Sequence, residues 1–374
     1  MNHQRSRIGF IIDGRFPSIW SIIAGNCGIL NLFRGYPSNS PMGFMRYGWI
    51  ADAVNKNDPN LRYELFTPFH KYEGVVFLKS MGKDCFTLAR RLKENGVRIV
   101  FDANVDYLTP AEGKFYYDGM APTEAQRQDV MNMIEIADTI IADSEYILQK
   151  IRPFHNCLKW IPDNVRMDLV PVTKPVIKQD RLILLWSGAS CKVFELLLIA
   201  SVLRNYAKYI RLILITDDWS SGLERCFEPY RKDIKDLLAD LEHKIIPFRS
   251  IEQLLKIYGE GDIFISPRFL DNSYNLGHTE WKITLPMACR RFVLASPQPS
   301  YVTVQKKSRG KGIRICTSSE EWDREIDNIL SKEINLEEEG HQGRQTVESH
   351  YSSDVVARIH ADMVEKVLRF HKSS

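Results

Sequence analysis

Two doubly wound, Rossmann-like α/β domains in tandem are the fold class this sequence predicts, and three observations predict it. Short β-branched runs alternate with helix-length amphipathic stretches, the pattern of parallel α/β construction. That alternation runs through once, breaks at a proline-bearing stretch, and runs through again. The 374 residues, 44 % of them hydrophobic, are enough for two cores of ordinary size.

In the first half, strands are expected at IGFIID (8–13), GVVFLK (74–79), VRIVFD (97–102), TIIAD (139–143) and CLKWI (157–161), with helices near 43–56, 83–95, 122–137 and 145–151. In the second half, strands are expected at LILLWS (182–187), RLILIT (211–216), KIIPF (244–248), DIFIS (262–266) and FVLAS (292–296). Their helices fall near 192–206, 228–241, 251–258 and 279–289. VPVTKPVIKQD has two prolines and no periodicity, so the linker is placed at 171–180, between an N-terminal domain at 1–170 and a second at 181–350. Residues 351–374 carry one more apolar-periodic segment, expected to be a helix crossing back to the N-terminal domain. Sheets of this kind gather ligands at the carboxyl ends of their strands, so a cleft where two such ends face one another is the expected site.

Composition narrows the partners. Fifty basic residues against 47 acidic ones leave a formal charge of +3, which gives no global drive toward nucleic acid. The seven cysteines are odd in number, scattered and never in a C-x-x-C pair, so neither a disulfide framework nor a zinc site is indicated and a reducing cytoplasm fits. The N-terminus runs straight into a strand without an apolar leader, and no run of about 18 apolar residues could span a bilayer.

The stretch DNSYNLGHTEWKITLPMACRRFVLASPQPSY, residues 271–301, poses an electrostatic problem. A helix expected to begin near Asn275, Gly277, His278 and Thr279 carries Lys282 in its first turn. Helix N-termini already present unpaired N–H groups and partial positive charge, so a cation there is unfavourable unless something negative joins it. A phosphate group would resolve the conflict. Taken singly, Lys282 also reads as a solvated side chain, His278 as a capping or packing residue, and the glycines as turn formers.

Architecture and motifs together resemble the GT-B glycosyltransferases, and among them the retaining family-four group. GHTEWKITLPMACRRFVLAS (277–296) is similar to that group's signature: Met287-Ala288 matches its Met-Ala and Arg290 to Ser296 its following strand, while Lys282 matches the lysine of a variant reading K-x-x-E-x-M-A. Counted back from Met287, the two signature glutamates fall on Gly277 and Leu285, so both carboxylates are absent, and Glu280 is off register. IEIADTIIADSEYILQKI and WIPDNVRMD resemble the group's first-domain strand, helix and exit toward the linker, and LLWSGASCKVFELLLIASVLRN its glycine turn followed by a basic residue.

The resemblance implies a nucleotide-sugar donor, no cofactor and no bound metal. When the glycosidic C–O bond of such a donor breaks, negative charge grows on the diphosphate, and the site needs positive groups aimed there. Lys192, His278 and Lys282 are the expected supply, with Ser187, Gly188 and Gly277 giving close backbone access and Asn275 and Thr279 beside them.

On the acceptor side the candidates are Gly43 and Arg46, where a glycine-containing loop enters the first long helix, and Asp102, Asn104 and Asp106, which end a strand in FDANVDYL. Asp102 would orient an acceptor hydroxyl or act as base. Arg46 reads equally as an ion-pair partner, and the aspartates as turn formers of the Asx kind. The apolar loop at 16–33 fits an acceptor-side flap, peripheral contact with a membrane, or extra core packing. Neither TDDWSS nor DANVD has metal-ligand spacing. The expected function is therefore transfer of a sugar from a nucleotide-sugar donor to a glycan or lipid-linked acceptor in glycan assembly. A non-hydrolysing sugar-nucleotide epimerase and a catalytically silent binding subunit are the alternatives.

Overall fold

The computed structural model describes residues 5–14, 42–110, 121–171, 181–226 and 228–369. The apolar loop at 16–33 and residues 172–180 of the expected linker lie outside the described residues. The chain divides into two compact units. The first takes in the described residues up to 110, from 122 to 164 and from 352 onward, and the second residue 121 and those from 165 to 351.

Unit one is built on a six-stranded parallel sheet of β1 (Ser6–Ile12), β2 (Leu61–Leu65), β3 (Gly74–Leu78), β4 (Arg98–Ala103), β5 (Thr139–Ala142) and β6 (Leu158–Trp160). Its order is β2-β1-β3-β4-β5-β6, so the chain reverses its direction across the sheet between β1 and β3. Both faces are covered, and β3 (GVVFL) is accordingly buried at every residue. β2 escapes the sequence patterns because its LRYEL alternates apolar with charged residues at the edge of the sheet.

The helix Glu124–Ile136 starts at Thr123 with a capping box that Gln126 closes, and Ser144 caps the helix Glu145–Ile151. The helix expected near 43–56 is composite, a π-helical stretch Met42–Trp49 running into the α-helix Ile50–Asn57. The C-terminal helix Ser353–Arg369 belongs to this unit, burying Val356, Ala357, Ala361 and Val364 with Phe10, Ile50, Val54 and Tyr63.

Unit two carries the second parallel sheet, formed by β7 (Leu182–Ser187), β8 (Ile210–Thr216), β9 (His243–Pro247), β10 (Ile263–Ser266), β11 (Phe292–Ala295) and β12 (Ile313–Ile315). The order β12-β11-β10-β7-β8-β9 puts the reversal between β7 and β10. Leu184, Trp186, Leu212 and Leu214 face one apolar core, and Leu185, Ile213, Phe264 and Val293 the other, as the period-two pleat requires. The segment expected as one helix over 192–206 is a 3-10 helix, Ser190–Ile199, followed by a short α-helix, Ala200–Asn205.

Helices at Pro299–Lys307, Ser319–Leu330 and Leu336–His350 complete the unit beyond those expected. Gly312, at φ +76°, meets the last of them so closely that a Cβ there would lie 2.3 Å from Cα of Gly343. No helix among the described residues is long and apolar enough to cross a membrane.

Candidate functional site

The reversal between β7 and β10 leaves a crevice at the carboxyl ends of those strands, the place where a doubly wound sheet binds ligands. Three segments of unit two meet there. The first leaves β7 through Ser187 and Gly188. Ser187 Oγ lies 2.6 Å from the Tyr258 hydroxyl, and the Gly188 N–H donates to the Ile215 carbonyl at 3.1 Å, so both are tied into the sheet. A Cβ on Gly188 would lie 3.0 Å from the Trp186 ring and 3.6 Å from Nζ of Lys282, and its absence leaves the lysine room. The turn that follows is pinned by the Ser190 N–H, which donates to Asp217 at 2.7 Å, and it delivers Lys192 on the 3-10 helix.

The second segment follows β10. Asn272 caps a short helix, Ser273–Leu276, and the helix carrying Lys282 begins only at Trp281. This corrects the expected helix start: the Gly277 N–H donates to the Ser273 carbonyl at 2.9 Å and the His278 N–H to that of Asn275 at 3.3 Å, so neither is an open helix N-terminus. What this segment offers instead is side chains. Lys192 Nζ donates to the Tyr274 hydroxyl at 3.1 Å and lies 3.1 Å from His278 Nε2. The Tyr274 and His278 rings meet edge to face at 4.5 Å. From the third segment, after β11, Gln298 and Ser300 each donate to the His278 carbonyl at 2.8 Å, and Gln298 also donates to that of Thr279 at 3.3 Å. The expected donor-side residues Lys192, His278, Lys282 and Gly188 are thus brought together by strand ends far apart in sequence.

Beneath them lies a charged cluster that the sequence did not disclose. Glu195, 1 % exposed, accepts from Arg268 at 3.3 Å and from Asn275 Nδ2 at 3.0 Å. Asn275 is therefore part of this buried network, its own Oδ1 accepting from Arg268 at 3.3 Å. Among the described residues, Lys282 Nζ sits 4.6 Å over the Trp186 ring with no hydrogen-bond acceptor, and Arg268 Nε and Glu195 Oε2 have no partner. Burial, and then repulsion from Arg268 and Lys192, hold the Lys282 pKa well below the usual lysine range against the pull of Glu195. Lys192, Arg268 and Lys282 share one buried carboxylate, which leaves the site short of negative charge and weakens the hold of Lys282 on its proton. An anion would balance it. The only foretaste in the sequence is the spacing of Lys192 and Glu195, one 3-10 turn apart.

The residues expected on the acceptor side gather in unit one, with different work to do. Arg46, 2 % exposed on the π-helical stretch, is bonded to both oxygens of Asp102 at 2.9 Å and to Asp163 at 2.8 Å. It is an interior ion-pair residue, one of the two readings the sequence left open for it, and it is not exposed on the acceptor side. Burial lowers the Arg46 pKa, but Asp102, Asp163 and Asp143 outweigh it and hold the guanidinium charged. Burial also raises the Asp102 pKa, opposed by Arg46, and with both oxygens engaged that carboxylate is not poised as a base. Asn104 packs beside Asp102 and Asp143, each at 3.4 Å, and Gly43 is buried in the π-helical stretch. Asp106 makes the Asx turn, accepting from the N–H groups of Leu108 and Thr109 at 3.0 Å and from the Thr109 hydroxyl at 2.6 Å. Among the described residues no His, Cys, Asp and Glu group has the geometry of a metal site.

No family model and no curated protein matches the sequence. Solved structures match it over nearly its whole length. Sucrose-phosphate synthase from Thermosynechococcus elongatus superposes with a TM-score of 0.63 at 13 % identity, covering 98 % of this chain and 100 % of its own. The fold is GT-B. The Anabaena protein HepE, solved with UDP and glucose, is similar with a TM-score of 0.63 at 10 % identity over 97 % of this chain and 100 % of its own. A glycosyltransferase from Rickettsia africae gives 0.62 at 12 % over 98 % and 99 %. At such identities the likeness carries the GT-B fold and no more.

Proposed function

We propose that this protein is a nucleotide-sugar-dependent glycosyltransferase whose donor diphosphate sits at the β7–β10 crevice of unit two. The observation that carries the reading is the convergence of Lys192, His278 and Lys282 at that crevice, beside a buried cluster in which Lys192, Lys282 and Arg268 share the one carboxylate of Glu195. HepE, of the same fold, is described in complex with UDP and with UDP-glucose, which supports a donor of this class.

The chemistry asked of the site is electrostatic. As the bond from the anomeric carbon to the diphosphate breaks, its electron pair goes to the phosphate oxygen, and Lys192 and Lys282 offset that charge. The acceptor hydroxyl oxygen bonds to the anomeric carbon, and its proton leaves to the phosphate or to solvent. Retention of configuration and a glycan or lipid-linked acceptor are part of the proposal, supported by the family-four resemblance. A silent binding subunit is the second reading, favoured by Gly277 and the buried Leu285 at the positions of the two signature carboxylates.

A thermal-shift panel of nucleoside diphosphates and sugar nucleotides tests the donor site, because ligand at about 100 times its Kd adds roughly 2.7 kcal/mol. No shift with any of them would remove the donor assignment. Release of nucleoside diphosphate only when acceptor is present separates a transferase from a binding subunit.

A further inference from the structure

We propose that Glu195 is a positioning residue of the anion site, the second rung of a clamp whose first rung is Lys192. The inference rests on the donor-site reading only for its ligand; the clamp itself is a matter of geometry. Lys192 and Glu195 stand three residues apart on the 3-10 helix Ser190–Ile199, and in a 3-10 helix residues i and i+3 eclipse one another. Both side chains therefore leave one row of one helix, and both grip the segment that follows β10. Lys192 holds Tyr274 and His278, each at 3.1 Å, while Glu195 holds Arg268 at 3.3 Å and Asn275 at 3.0 Å.

The two rungs interleave along the gripped segment, in the order Arg268, Tyr274, Asn275, His278. Tyr274 and Asn275 are neighbours that answer to different rungs, so a shift at one is passed to the other through a single peptide. The rest of the segment is braced from behind: the Arg268 N–H donates to the Ser296 hydroxyl at 2.9 Å, and Asn275 Nδ2 also donates to the Phe269 carbonyl at 2.7 Å. The lower rung is buried and charged, with Glu195 1 % and Arg268 5 % exposed, whereas Lys192 and His278 above it are only half-buried. A buried ion pair is a costly way to add stability, and its better-attested use is to specify one arrangement out of several. Here the arrangement it specifies is the spacing between an ammonium and an imidazole at the mouth of the crevice.

The test reads that spacing directly. In the protein without ligand, a 15N-labelled histidine spectrum of the full chain should show His278 Nε2 as a hydrogen-bonded acceptor, and Glu195→Ala should move it toward the free-imidazole position. The same variant should bind UDP at least tenfold more weakly by calorimetry. Glu195→Gln, whose amide oxygen still accepts from Asn275, should fall between wild type and Glu195→Ala in both readouts. A variant that fails to fold is replaced by Asn275→Ser, which opens the same rung without stranding a buried charge. An unmoved His278 resonance in the folded variant overturns the clamp, and a moved resonance supports it even if the wild type binds no UDP, a result that would overturn only the donor-site reading.

Discussion

Nζ of Lys192 and Nε2 of His278 lie 3.1 Å apart although 86 residues separate them in the chain. An ammonium has protons and no lone pair, so the imidazole nitrogen it faces is the acceptor. With Lys192 protonated, this contact calls for the neutral ring with its proton on Nδ1. The pair presents one positive charge, not two, until a ligand arrives, and Tyr274 is held to the same ammonium at 3.1 Å.

If the diphosphate binds this cluster, Lys192→Ala and Lys282→Ala should each weaken nucleoside diphosphate binding. Loss of a charge-assisted hydrogen bond costs about 1.5–3 kcal/mol, or about ten- to a hundredfold in Kd. Titration calorimetry with UDP and GDP measures it. Unchanged affinity in Lys192→Ala would leave that lysine as a brace for Tyr274 and His278 alone.

If the protein transfers sugar as proposed, Lys192 and Arg268 supply positive charge at the crevice and a bound anion favours the protonated form of Lys282, so transfer is expected to persist in excess chelator. A full loss of activity that magnesium or manganese restores would show that a cation shares the work. Side-by-side assays with and without EDTA decide it.

Stability should fall in acid through His360. This ring is 1 % exposed and lies 2.8 Å from the Tyr63 hydroxyl; burial first, and then Arg46, push its pKa down to about 3. The unfolded chain takes up the proton near the ordinary value of 6.5 while the folded chain refuses it until about 3. Stability is therefore complete above 6.5 and declines as pH falls through that window, by about 1.4 kcal/mol per pH unit for this one group. Denaturant titrations of wild type and His360→Gln at pH 7, 6 and 5 should show a shallower decline in the variant. Parallel slopes would mean that other groups govern acid sensitivity.

Legibility in the sequence followed the range of the interactions involved. Strands such as GVVFL and LILLWS were readable because burial on both faces writes a continuous apolar run. β12 was not, since three residues, Ile313–Ile315, make no pattern. Lys192, His278 and Lys282 stood out by being cations beside a turn or a helix start. Glu195 and Arg268 did not, because their pairing spans 73 residues and each alone resembles a surface charge. The helix start near Gly277 was misplaced by four residues for a related reason: Asn272 caps a single extra turn that ends at that glycine.

In unit one the strongest single dependence should be on Arg46. Arg46→Met leaves Asp102 and Asp163, 3 % and 2 % exposed, without their cation. Removing one partner of a buried pair costs about 3–5 kcal/mol. Chemical denaturation followed on unit one should register that loss, and a cost under about 1 kcal/mol would show that water reaches the carboxylates.

A local test of packing is Gly312→Ala. The methyl group would meet Gly343 Cα at 2.3 Å, backbone against backbone, at a φ of +76° that alanine disfavours. A clear drop in Tm is expected from thermal unfolding, and an unchanged Tm would mean the helix Leu336–His350 can retreat without loss.

Unit one is assembled from both ends of the chain, with residues 165–351 set between them. Order of synthesis then matters. When the ribosome has made β1 to β6, part of the wall that buries Phe10 and Tyr63 is still missing, because Val356, Ala357 and His360 lie beyond the second unit in the sequence. Most of the second unit, from 165 to 351, is one continuous stretch that can close its core on emergence, in the manner of domains that fold as they are made. The first must wait, half-clad, until residues 352–369 have followed, and a chain cut short near residue 350 would carry an apolar sheet face covered only by the helix Ile50–Asn57.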